Sequence, residues 1–85
     1  MTGIEAAQAV TQQHQCHLVR PRKGAPGLYD AKPFGAGSKR GWFYLDAFSA
    51  SAIVAVWNAL NEANRAKFAA LSIPKMARVA FKLVR

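Results

Sequence analysis

His14, Cys16 and His17 put three metal-ligating side chains within four consecutive positions near the start of the chain. A structural zinc site needs a full tetrahedral set in paired spacings, and no second cysteine or later histidine exists to complete one. On a strand the three cannot converge, because alternate side chains point to opposite faces. A Cys/His nucleophile would need an orienting third group and an oxyanion pocket, which nothing in the sequence supplies. Cys16 is therefore read as a small buried strand residue. The acids Glu5, Asp30, Asp46 and Glu62 are too scattered to suggest a carboxylate pair, and Asp46 reads as a helix cap. The run 35–41, Gly-Ala-Gly-Ser-Lys-Arg-Gly, looks like a phosphate loop but lacks the Walker spacing and a helix to follow it. The expectation is a protein that is not an enzyme, with no catalytic residue, no cofactor and no metal.

Basic residues carry the stronger signal. At about 100° per residue, Lys75, Arg78, Lys82 and Arg85 fall within about 80° of one another on a helix. Ile73, Met76, Val79, Ala80, Phe81 and Leu83 fill the other side. The cations form a stripe about 15 Å long, and no acid lies in 63–85 to neutralise it. A solvated face is the plainer reading of such a stripe, but solubility does not require a single sign. Phosphates at nucleic-acid spacing match it, with release of condensed counterions on binding. A second basic region gathers Arg20, Arg22, Lys23, Lys32, Lys39 and Arg40, with Tyr29 and Phe34 interleaved. Charge that tracks phosphates beside exposed rings that stack on bases suits a nucleic-acid strand. Tyr29 and Phe34, in a Gly/Pro-rich setting, are expected to be exposed. At least two of Trp42, Phe43 and Tyr44 are expected in the core.

The elements that must hold these residues follow from period and punctuation. Residues 4–13 suit a short helix that must dock to persist, with Thr2 as a candidate N-cap. Residues 16–20 and 42–45 have strand composition, and they are expected to pair across a long loop. Segment 21–41 holds Pro21, Pro26 and Pro33 and five of the six glycines, which excludes a helix and argues for that loop. Ile53, Val56, Trp57 and Leu60 mark one face of a helix opened by Asp46 or Ser49. A break at Asn58 or Asn61 precedes a second helix over about 62–71. Ser72 to Pro74 then turns into the cationic helix. The last two helices lack the glycine turn and base-reading side chains of a helix-turn-helix.

The fold class expected is α+β: one small domain over 1–85, with a short strand pair around a long basic Pro/Gly loop and about three C-terminal helices. Its parts are an N-terminal helix or arm at 1–15, strand-loop-strand at 16–46 and a helical part at 47–85. An all-helical domain with an extended basic loop is the alternative. The expected core is Leu18, Phe43, Leu45, Phe48, Ile53, Val56, Trp57, Leu60, Phe68, Leu71, Met76, Val79, Ala80, Phe81 and Leu83.

The chain is 85 residues with a net charge of +8 and 52% apolar residues, which excludes a multidomain enzyme and a disordered polyelectrolyte. Charge sums to −1 over 1–19, +5 over 20–40, −2 over 41–64 and +6 over 65–85. A single cysteine, no signal-peptide pattern at the start and no run long enough to span a bilayer lead to a cytoplasmic expectation. The function expected first is a small non-enzymatic accessory protein that binds DNA or RNA mainly through phosphates, with low sequence specificity. The alternative is a protein-interaction module, an inhibitor or regulator of phage or plasmid type, that docks an acidic surface of a larger protein assembly. Membrane binding ranks behind both, since a core this small needs the apolar helix faces. A homo-oligomer through Trp57 or those faces is a further option.

Overall fold

Thr2 starts the first helix with a reciprocal cap. Its hydroxyl accepts from the Glu5 N–H at 3.1 Å while the Glu5 carboxylate accepts from the Thr2 N–H at 2.8 Å. The computed structural model describes every residue except Ala36, Ser38, Lys39, Val84 and Arg85. Helix α1 (Gly3–Gln13) buries Ile4, Ala6, Ala7 and Val10 and ends at His14, whose left-handed φ of 52° stops it.

Three strands follow: β1 (His17–Pro21), β2 (Tyr29–Pro33) and β3 (Phe43–Leu45). They form an antiparallel sheet in the order β2-β1-β3, with His17 opposite both Pro33 and Leu45. The expected pairing of the first and last strands is present, one residue later at each start. Strand β2 corrects the expectation of an uninterrupted loop over 21–41. The turn before it bends at Gly24 and Gly27, both at positive φ, and Gly35 follows it. The five residues of β2 itself contain no glycine, and Pro33 stands at the strand end, where a missing N–H does least harm. Averaging over the whole segment hides this short window. Met1 and Thr2 cover the start of the β2 edge, where the Tyr29 N–H donates to the Met1 carbonyl at 2.6 Å.

Asp46 caps α2 (Ala47–Ala59), accepting from the Ser49 N–H at 2.7 Å. Asn61 caps α3 (Glu62–Ala69) through the Asn64 N–H at 2.9 Å. Between them, the Arg65 guanidinium donates to the Trp57 carbonyl at 2.9 Å and lies 4.9 Å from the Trp57 ring, so a cation meets the carbonyl end of α2. The last helix, α4 (Ile73–Leu83), begins where the Ser72 carbonyl accepts from the Met76 N–H at 2.8 Å.

The core lies between α1, α2, α4 and the inner face of the sheet, with Val10, Val19, Leu45, Ile53 and Met76 fully buried. Small residues let α1 and α2 approach closely, notably Ala6 and Ala7 on one and Ala50 on the other. Two expected core residues are exposed instead. Phe48 is 75% exposed because it sits in the first turn of α2, ahead of the buried stripe that starts at Ala50. Leu83 is 62% exposed in the last turn of α4, beyond Ala80, the last buried residue of that helix. Phe43, Trp57, Leu60, Leu71, Val79 and Phe81 are half-buried against the core. No helix among the described residues is long and apolar enough to cross a membrane.

Candidate nucleic-acid interface

Alternation along the strands divides the sheet into two faces. Val19, Tyr29, Ala31, Phe43 and Leu45 turn toward the helices and join the core. Leu18, Arg20, Asp30, Lys32 and Tyr44 occupy the opposite face. Leu18 is only 2% exposed yet stands apart from the main core. Its neighbours across the ladder are Lys32 on one side and Tyr44 on the other, so these side chains cover it.

The outer face gathers cations around rings. The Arg20 guanidinium and the Lys32 ammonium each lie 4.4 Å from the Trp42 ring centroid. Phe34 and Tyr44 meet edge to face with centroids 5.0 Å apart, and they remain 48% and 52% exposed. Asp30 accepts from Arg22 at 3.0 Å and from Arg20 at 3.3 Å. The hydrogen bond from Arg22 does most to hold the Asp30 carboxyl below its ordinary range, Arg20 adds to it, and partial burial opposes both. Ion pairs this exposed contribute little to stability, so a phosphate can compete for the same guanidinium groups. The neighbouring Cys16 thiol does most to push the Tyr44 phenol up, with burial and Asp46 adding to it. Tyr44 therefore remains an uncharged ring at neutral pH.

The structure brings Arg20, Arg22 and Phe34 together on this face. Lys23 is exposed in the turn between β1 and β2, and Arg40 is exposed ahead of β3. Lys75, Arg78 and Lys82 share the exposed side of α4, as the helical spacing requires. Lys39 and Arg85 lie outside the described residues. Tyr29 is a correction: it is 7% exposed, and its hydroxyl accepts from the Ile73 N–H at 3.1 Å. Ala31 is the ladder partner of the inward-facing Val19, and an even step along β2 turns Tyr29 inward with it, whatever its Gly/Pro setting suggests.

Sequence reasoning underrated Lys32, Trp42 and Tyr44. The available signal was period two: a buried Leu45 places Phe43 inward and Tyr44 outward. His17 is buried with Nδ1 2.8 Å from the Gln15 carbonyl, while His14 is exposed at the end of α1. Among the described residues, no three His, Cys, Asp or Glu side chains stand close enough to share a metal ion. No protein-family model, curated protein or solved structure matches this chain.

Proposed function

We propose that this protein binds single-stranded nucleic acid on the outer face of its sheet, without chemistry of its own and with low sequence specificity. The observation that carries this reading is the pair of exposed rings, Phe34 and Tyr44, beside Lys32, Arg20 and Arg22. Bases stack on rings whatever their sequence, and the cations track the backbone. A duplex hides its base faces and would leave those rings unused. The α4 stripe adds a longer-range positive field that raises the encounter rate.

Titration of labelled single-stranded DNA, single-stranded RNA and duplex against salt tests the proposal. The wild type should prefer single strands, and Phe34→Ala with Tyr44→Ala should weaken binding about fivefold or more at an unchanged salt slope. Neutralising Arg20, Arg22 and Lys32 to Gln should flatten the slope by about 0.7 for each phosphate that no longer meets a cation. A wild type that binds none of the three at low salt overturns the reading. Binding that survives these changes but is abolished in Lys75→Gln, Arg78→Gln, Lys82→Gln moves the interface to α4 and overturns the sheet assignment.

A further inference from the structure

A groove opens where α2, α3 and α4 meet. Its floor and walls are Val56, Leu60, Phe68, Leu71, Val79 and Leu83, and it encloses about 320 Å³. That is near the small end of ligand-pocket sizes, roughly 300–1,000 Å³. It suits about two anchoring side chains from successive turns of a helix. Leu83, displaced from the core, stands 62% exposed on its rim.

The rim specifies the occupant through charge. Lys67 lines the α3 side of the groove. On α4, at about 100° per residue, Lys75 and Lys82 lie about 40–60° from Val79, on the side away from the buried stripe. Glu62 is the nearest acid in sequence to these walls, and it sits in the first turn of α3, away from Lys67 by more than one helical turn. An apolar floor between cationic edges matches an amphipathic helix with apolar anchors and acidic flanks. A second copy of this chain would set like charge against like charge, because each copy carries +8. A nucleic-acid backbone would gain nothing from six apolar side chains.

We infer that the α2–α3–α4 groove is a docking site for an acidic amphipathic helix of a partner protein. This site is separate from the sheet face, so either can fail without the other. The protein would then hold a nucleic-acid strand on one surface and a protein on another.

The test uses a labelled synthetic helical peptide with Leu or Phe at i and i+4 and Glu on both flanks. A peptide with Lys in place of Glu and a scramble of the acidic one serve as comparisons. The acidic peptide should bind at least tenfold more tightly than either at low salt. Amide and methyl shift changes should centre on Val56, Leu60, Val79 and Leu83. Leu83→Ser and Lys67→Glu, both at surface positions that leave the core intact, should each weaken it about tenfold, while Phe34→Ala with Tyr44→Ala should leave it unchanged. Equal binding of the scramble, no binding at all, or no effect of Leu83→Ser and Lys67→Glu overturns the inference. So does concentration-dependent dimerisation abolished by Leu83→Ser, which would assign the groove to a second copy. Tighter capture by anionic vesicles through Leu83 would assign it to a membrane surface and overturn the inference as well.

Discussion

The Tyr29 hydroxyl accepts the Ile73 N–H across 44 positions of sequence, and so ties the edge strand to the first residue of α4. A helix leaves its first N–H groups without intrahelical partners, and here a buried phenol takes one of them. Tyr29→Phe keeps the ring and deletes the acceptor, leaving a buried N–H unsatisfied at a cost of about 1–3 kcal/mol. For a domain of this length that lowers the thermal midpoint by roughly 4 °C or more. Calorimetry or denaturant titration checks it, and an unchanged midpoint would mean that water replaces the phenol. At the same scale, a single acid, Asp30, pairs with two arginines, Arg20 and Arg22.

At the scale of the element, α4 divides its residues into three radial classes. Ile73, Met76 and Ala80 are buried, Ala77, Val79 and Phe81 are half-buried, and Lys75, Arg78 and Lys82 are exposed. Phe81 stacks at 5.4 Å on the exposed Phe48, so part of its ring already faces water. The cost of truncation should follow burial rather than side-chain size. Met76→Ala should cost about 2–5 kcal/mol, Phe81→Ala distinctly less than the about 3–5 kcal/mol of a fully buried ring, and Leu83→Ser still less. Urea titrations of the three variants give the ranking, and a Phe81 loss exceeding that of Met76 would contradict the helical phase of α4. The cap residues Thr2, Asp46 and Asn61 act at this scale too, each satisfying an N–H that its helix leaves open.

The whole molecule packs a net charge of +8 into 37 × 28 × 19 Å, so much of its charge lies within a Debye length of other charge of the same sign at low salt. Compaction of that charge opposes folding, and screening relieves it. The thermal midpoint should therefore rise between about 10 mM and about 150 mM NaCl. A flat or falling midpoint over that range would mean that the Asp30 ion pairs outweigh the net repulsion. The two surfaces differ in the same sense: the sheet face carries rings and cations, whereas the groove has an apolar floor with charge at its edge.

Features decided within a few residues were legible from the sequence alone. The Thr2 cap, a cap at Asp46 or Ser49, a break at Asn58 or Asn61, the strand character around Leu18 and Leu45 and the amphipathic phase of α4 all depend on neighbours one turn or one strand away, and the structure selects Asp46 and Asn61. The stripe of Lys75, Arg78 and Lys82 follows from spacing for the same reason. Strand β2 was not legible, because its own composition is weak and pairing with β1 is what makes it a strand. That register then decided that Tyr29 turns inward while Lys32 turns outward beside Trp42, which no local count of glycines and prolines contains. Leu18 was legible as buried, but not that Lys32 and Tyr44 bury it from the outer side. Phe48 and Leu83 belong to apolar helix faces by type, yet whether a face is covered depends on where its neighbour ends. Local chemistry determined the elements, and only the tertiary arrangement decided which rings and which leucine reach the surface, because exposure belongs to the packing of elements and not to any one of them.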